Sequence, residues 1–335
     1  MENSPFHVDE LAAQSLARQS SPGTGIRPFM PDQHRNFFAL LPYLFVATAD
    51  DGGWPVASVL HGAPGFVRSP DPTTLRIDAL PAGGDPLMAG LRAGGAAGLL
   101  GIDLSNRRRN RANGKLATVD ESGMTVAVTQ SFGNCAKYIQ TRQAAPSPRN
   151  AAPAVRLGSL DDEARRLIAN ADTFFVASRS RETVGEAGGL DISHRGGRPG
   201  FVAVQGDTLI VPDFRGNRYF NTLGNLLGDP RAGLLFVDFA TGTLLQLQGI
   251  ATIDWTDSAA TRLTGAERSW RIEVERAWRR PQALPFDWTF CEYAPTTLAT
   301  GVWTSEVSFP QTSCHPERSE GSFTASTKDP SLRSG

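Results

Sequence analysis

Cysteine is scarce in this chain: Cys135, Cys291 and Cys314 are the only 3 among 335 residues. They lie far apart, are odd in number and never fall in a CxxC spacing, which argues against a disulfide framework and against a thiolate-bound zinc or iron–sulfur site. No metal is expected. Charge of one sign is lacking too, since 33 Lys and Arg face 34 Asp and Glu for a formal net charge of −1. Such a balance gives no general attraction to nucleic acid or to an anionic membrane, so any anion site must be local. No apolar run approaches the roughly 20 residues that cross a bilayer. The opening MENSPFHVDE has no apolar core of the kind a secretory signal carries. The expectation is a soluble, cytoplasmic protein with neither nucleic acid nor membrane as partner.

What is present is a globular composition, 40% hydrophobic and 20% charged. The length suits two or three domains of roughly 100–200 residues. Glycine is concentrated in a phrase written twice, GGWPVASVLHGAPGFV at 52–67 and GGLDISHRGGRPGFV at 188–202. A shift of 135 residues lays Gly53, Ser58, Gly62, Pro64, Gly65, Phe66 and Val67 on Gly188, Ser193, Gly197, Pro199, Gly200, Phe201 and Val202. The same shift lays Thr73 on Thr208, Asp78 on Asp213, AGLLGID (97–103) on AGLLFVD (232–238) and Gly114 on Gly249. Self-similarity on this scale points to duplicated domains rather than short solenoid repeats.

Each copy has the same layout. A short helix comes first: 31–41, with Pro31 in its first turn, and 159–171, with Ser159 and Asp162 as a capping box. An apolar β-run follows (YLFVATAD; TFFVASRS), then the glycine phrase, a strand (TLRIDAL; TLIVPDF) and a helix (DPLMAGLRA; FNTLGNLLG). A strong strand (AGLLGIDL; AGLLFVDF) and another around Gly114 or Gly249 complete the copy. Short strands bounded by Gly, Pro and Asp argue for a small barrel in each half. AAPSPRNAAPA (144–154) reads as a linker. Trp270, Ile272 and Val274 alternate with Arg271, Glu273 and Glu275, a period of two that marks one more strand.

In this order, the phrase GGRPGFV, the segment PDFRGNRYFNTLGNLLGDPRAGLLFVDF and the run LLQLQG resemble the pyridoxamine 5′-phosphate oxidase-like family of FMN-binding split barrels. RRRNRANG (107–114) and FGNCAKYIQTR (132–142) resemble its flavin-nucleotide-binding branch. The resemblance implies a β-rich α+β chain of two tandem, six-stranded-type split β-barrels with short flanking helices. The expected divisions are an N-terminal helical arm (1–29), a first barrel (30–143), a linker (144–157), a second, FMN-binding barrel (158–298) and a disordered tail (299–335). From about Phe309 the sequence is Ser-, Thr- and charge-rich and carries no expected role. Relatives of this kind can continue into reductase and ferredoxin modules, a pattern from which this sequence departs.

FMN as cofactor makes two demands: donors for a phosphate of about two negative charges, and a backbone that can approach the polar edge of a flat ring. Around the second glycine phrase, Gly189, Asp191, Ser193, His194, Arg195 and Gly196 are candidates for the ring and its edge. The alternative is a plain hairpin with a bulge. His194 is the one candidate for a catalytic role, against the commoner role of a hydrogen-bonded loop histidine. For the phosphate, Asn217 and Arg218 leave a strand while Asn221 and Thr222 open a helix, whose N-terminus suits an anion. Gln246 is a further cofactor candidate. Copy one lacks these donors but carries Arg108, Arg109 and Arg111, and alternation puts Arg109 and Arg111 on one face of a strand with Arg108 on the other. The arginines either complete a shared site across an intrachain pseudo-dimer or form a solvated strand edge; a homodimer is the other pairing. Asn134, Cys135, Lys137 and Tyr138 are further possible contributors, with a buried structural cysteine as the simpler reading of Cys135. The expected activity is flavin-dependent oxidation or reduction of a small substrate, with electrons from NAD(P)H or a separate reductase. The alternatives are a flavin carrier without turnover and a haem-binding barrel, for which only His61 and His194 offer an axial ligand.

Overall fold

The run Tyr43–Ala49 is apolar at nearly every position because both faces of this strand are buried. Leu44 and Val46 face one hydrophobic cluster, while Tyr43, Phe45 and Ala47 face another. The matching strand Thr173–Arg179 divides in the same way, with Phe174 and Val176 in one cluster and Phe175 and Ala177 in another. Phe175 and Phe45 stack with ring centroids 3.6 Å apart. The middle cluster they share joins the two halves of the molecule.

The computed structural model describes residues 4–256 and 263–303. Helices α1 (Val8–Leu16) and α2 (Asp32–Leu40) precede strands β1 (Tyr43–Ala49), β2 (Pro55–His61), β3 (Val67–Asp71), β4 (Thr74–Ile77), β5 (Ala96–Asp103), β6 (Arg108–Asp120) and β7 (Gly123–Gly133). These strands form an antiparallel sheet in the order β2-β1-β5-β6-β7-β4-β3. After β8 (Thr141–Pro146), β9 (Val155–Leu157) and α3 (Asp162–Asn170), the second sheet uses β10 (Thr173–Arg179), β11 (Leu190–Gly196), β12 (Ala203–Gln205), β13 (Thr208–Phe214), β14 (Arg231–Asp238), β15 (Thr243–Asp254) and β16 (Ala266–Arg280). Its order is β11-β10-β14-β15-β16-β13-β12, with β9 added alongside β16. Helix α4 (Asn221–Gly228) lies between β13 and β14. Strand β17 (Phe286–Glu292) pairs with β8, and α5 (Pro295–Leu298) comes after it. The result is a β-rich chain with few and short helices.

Close approach of the two sheets requires glycine at corresponding places. A Cβ on Gly98 of β5 would lie 3.0 Å from the Leu190 carbonyl and from Asp191 Cα of β11. A Cβ on Gly233 of β14 would run into the carbonyl of Pro55 in β2. The β5–β11 and β14–β2 contacts thus mirror one another, and the described residues before Thr304 belong to a single compact unit.

Several expectations change. Each sheet has seven main strands rather than six, because the end of each glycine phrase folds back as a short hairpin arm, β3 or β12. DPLMAGLRA forms only a 3₁₀ turn, Pro86–Gly90, capped by Asp85 and hemmed in by glycines. Helix α3 starts at Asp162 and is capped by the Asp161 carboxylate, which accepts from the Ala164 N–H, so Ser159 and Asp162 form no capping box. The ends of the expected linker pair as β8 and β9, and residues 299–303 are docked, with Trp303 Nε1 donating to the Phe201 carbonyl at 2.8 Å. The remainder of the expected tail, 304–335, lies outside the described residues. Among the described residues no helix is long and apolar enough to cross a membrane.

Candidate functional site

Where β6 of the first sheet meets β11 and α4 of the second, a polar cleft opens. Strand β6 is an interior strand, paired with β5 and β7 along its length, so its arginines are not a sheet edge. Alternation sends Arg109 and Arg111 into the cleft. Arg108 points the other way, donating to the Gln33 carbonyl at 2.7 Å with its guanidinium 4.4 Å above the Phe37 ring. From the second sheet come Ser193, His194, Arg195 and Gly196 of β11, followed by Asn217 and Arg218, and then Asn221 and Thr222 at the start of α4. Asn134, Cys135, Lys137 and Tyr138 form the wall on the first sheet's side.

An ion-pair network holds the two halves in register. Arg111 Nη1 donates to both Asp191 oxygens at 3.0 Å, and Nη2 donates to Ser193 Oγ at 2.5 Å. Both members of the pair are buried, at 7% and 5% side-chain exposure. Ser193 Oγ lies 2.8 Å from Thr222 Oγ1, and Asn221 Nδ2 donates to Glu10 Oε1 of α1 at 2.5 Å. On the opposite wall, Asp213 serves two arginines, Arg195 at 2.8 Å and Arg268 at 2.5 Å.

Cations nevertheless outnumber their partners. Among the described residues Arg109 has one side-chain hydrogen bond, Nη2 to Cys135 Sγ at 3.9 Å, and no carboxylate. The Nε atoms of Arg109, Arg111 and Arg195 are buried with no acceptor among those residues. Burial, with Arg111 and Arg195 adding repulsion against the opposing influence of Cys135, pulls Arg109 down to about 10. Burial, followed by repulsion from Arg109, Arg195, Arg142 and Arg111, holds His194 well below the ordinary histidine range, so its imidazole is neutral. His194 Nε2 has no partner among the described residues.

Helix α4 adds an open N-terminus. Its N-cap is Phe220, in the left-handed region at φ 62°, and no side chain caps the first turn. Arg218 and Tyr138, also on the cleft wall, take positive φ values of 64° and 61°. Left-handed non-glycine residues cost on the order of 1–3 kcal/mol each and cluster where a site must hold a particular shape. These residues suit a phosphate: unpaired guanidinium N–H groups and a free helix start converge there. Room for a flat ring is tighter. The side chains enclose about 100 Å³ of free space, within about 850 Å³ when the open mouth is counted. A flavin ring therefore enters only if side chains move outward.

Ten of the expected cofactor residues share this cleft: Arg109, Arg111, Ser193, His194, Arg195, Gly196, Asn217, Arg218, Asn221 and Thr222. Asp191 stands behind the cleft, neutralising Arg111, and with Gly189 it lines an adjoining cavity. Two expected residues lie elsewhere. Arg108 is on the wrong face of β6. Gln246 is buried in the corresponding junction on the other side of the molecule, donating to the Ala57 carbonyl and to Asp85 Oδ1 at 3.0 Å. That junction is closed by Asp85, which also accepts from Ser58 at 2.5 Å and from Arg280 at 2.6 Å. Asp213, Arg268 and Glu267 also line the cleft, and the sequence reading misses all three. The Asp78–Asp213 identity is a signal for the first, whereas Glu10, more than 200 residues from its Asn221 partner, has none.

No family model matches the chain, and no curated protein does. Among solved structures it is similar to HupZ of Group A Streptococcus, at 20% identity over 35% of this chain and 90% of that one, with a TM-score of 0.27. It is also similar to HutZ, the heme-storage protein of Vibrio cholerae, at 12% identity over 36% and 94% with a TM-score of 0.27. A third likeness is to an FAD-binding protein of Mesorhizobium loti, at 10% identity over 38% and 97% with a TM-score of 0.25. These likenesses are slight, and none of them assigns a ligand to this chain.

Proposed function

We propose that the chain is a flavin-binding protein, built from two fused split-barrel copies, that takes FMN in the cleft between them. Arg109 carries this reading: a guanidinium brought into a buried cleft beside two other arginines, with only a thiol for company, calls for an anion. Arg109, the one unpaired nitrogen of Arg111, its Nε, and the first-turn N–H groups of α4 would hold the phosphate. Ser193 and Thr222 would add hydroxyl donors, and neutral His194 would offer one hydrogen bond at Nε2 to the ring edge. Bound FMN supplies hydride and electron transfer, and the chain contributes position, charge and exclusion of water. The corresponding junction around Asp85 and Gln246 pairs its cation, Arg280, with Asp85, which supports one flavin per chain.

The activity proposed is oxidation or reduction of a small substrate, with NAD(P)H or a separate reductase as electron partner. A carrier role without turnover is the second reading, favoured by the narrow free space beside the cations. Mixing the purified chain with excess FMN and passing it over a sizing column tests binding: yellow protein is expected, and colourless protein ends the proposal. Anaerobic NADH or NADPH then separates the two roles, since direct bleaching marks an oxidoreductase and persistent yellow a carrier. Arg109→Gln should weaken FMN binding about tenfold or more, the loss of one charge-assisted contact of about 1.5–3 kcal/mol. Because Arg109 lacks a carboxylate partner among the described residues, the same substitution should leave the melting temperature without ligand unchanged or raised.

A further inference from the structure

The cleft holds a nucleophile that the flavin reading leaves unused. Cys135, just past the end of β7, lines the cleft and is only partly buried. Its Sγ accepts from Arg109 Nη2 at 3.9 Å. Six lining residues are Lys or Arg: Arg109, Arg111, Lys137, Arg195, Arg218 and Arg268. Against them stand two acids on the lining, Asp213 and Glu267, and Asp191 behind it. Asp213 is shared by Arg195 and Arg268, Glu267 lies beside Arg268, and Asp191 takes Arg111. Arg109, Lys137 and Arg218 are left with no acid among the described residues. A separate sign of a missing partner is His194, which lines the same cleft, is 6% exposed and has no hydrogen bond at Nε2 among those residues.

We infer that Cys135 is a site of covalent modification by small disulfides that carry carboxylates. The inference goes beyond the flavin reading and does not depend on it. A thiol that shares a cleft with three unpaired cations meets anionic reagents at raised local concentration. The same cations hold the carboxylate of the attached group by charge-assisted hydrogen bonds. Free space of about 100 Å³ suits a small attached half.

The step is a thiol–disulfide exchange. The Cys135 thiol gives its proton to water, and the thiolate attacks one sulfur of the incoming disulfide. A new S–S bond to Cys135 forms as the S–S bond of the reagent breaks, and the other half leaves as a thiolate. Cys135 is oxidised and the departing sulfur is reduced, so the reagent is itself the oxidant. Cys291 supplies an internal reference. It lies outside the cleft on β17, is exposed, and donates from Sγ to the Thr289 carbonyl at 3.6 Å. If exposure alone set reactivity, Cys291 would lead with every reagent.

Rates of adduct formation on the full chain, followed by intact mass, test this. The probes are dithiodiglycolate, hydroxyethyl disulfide and cystamine, which carry carboxylates, hydroxyls and ammonium groups. One variant keeps Cys135 alone (Cys291→Ser with Cys314→Ser), and a second keeps Cys291 alone (Cys135→Ser with Cys314→Ser). Dividing the rate at Cys135 by the rate at Cys291 removes the intrinsic reactivity of each reagent. The quotient should be at least about tenfold larger for dithiodiglycolate than for hydroxyethyl disulfide, and smallest for cystamine. Added salt should narrow that span. Arg109→Gln and Lys137→Glu should each narrow it too, and Lys137→Glu stays readable if Arg109→Gln does not fold. Equal quotients for the three probes, a Cys135 that reacts only in urea, or a span unmoved by both substitutions would overturn the inference. Yellow, FMN-loaded protein with equal quotients would sink this site and leave the flavin reading standing. Colourless protein that keeps the expected order would do the reverse.

Discussion

Single side chains show how much of this molecule depends on unequal pairing of charge. Asp213 serves two arginines, Asp191 serves Arg111 and Asn113, and Arg109 has no acid beside it among the described residues. Glu10 is the reverse case, a buried carboxyl with no lysine or arginine paired to it among the described residues, 3.7 Å from a His7 whose own burial disfavours its charge, and raised from the ordinary 4.5 to about 8. Its folded-state value lies above its unfolded one, so folding favours the protonated form. That contribution is full below about pH 4.5 and is lost as pH rises through about 8. Melting temperature measured from pH 5 to 9 should therefore fall on the alkaline side. Glu10→Gln, which stays neutral throughout, should flatten that fall. An equal alkaline decline in both proteins would show that Glu10 is not the group responsible.

At the level of elements, α1 lies so close on α4 that a Cβ at Gly224 would come within 2.5 Å of Glu10 Cα. Gly224→Ala inside a helix ordinarily gains about 1 kcal/mol from propensity. Here the added methyl meets backbone, which cannot rotate away, so the sign reverses to a loss of about 1–3 kcal/mol. A lowered melting temperature together with faster proteolysis within 8–16 is the expected result; a stabilised variant would mean that α1 does not rest on α4 this way. Strand β6 carries the other element-scale lesson. A plain period of two divides Arg109 and Arg111 from Arg108, and the interior position of β6 aims the first pair at the second sheet.

The whole molecule is stitched at its middle. Phe45 and Phe175 stack across the junction, β8 pairs with β17, and Arg111 bridges to Asp191. With a shared core of this kind the two halves should unfold together, in one calorimetric transition rather than two. Phe45→Ala or Phe175→Ala should cost about 3–5 kcal/mol and keep a single transition at lower temperature. Two separated transitions in the unmodified chain would contradict the shared core. The junction also explains why its two faces differ. The two sheets have the same strand order, but β6 brings arginines to its junction where β15 brings Gln246, which Asp85 and Arg280 close over.

By itself the sequence determined part of the local order: the apolar central strands of each half, which phrase is written twice, and that Arg109 and Arg111 share a face opposite Arg108. Those features have periods of a few residues or exact self-similarity, and neither depends on distant neighbours. Only the tertiary structure decided that Gln246 sits in a closed junction, that Asp161 rather than Ser159 caps α3, that Arg109 goes without a carboxylate while Arg111 does not, and that Glu10 is buried against Asn221. Whether a charge finds a partner, and what water it loses, is set by packing between segments that can lie more than a hundred residues apart, and no local pattern encodes that distance.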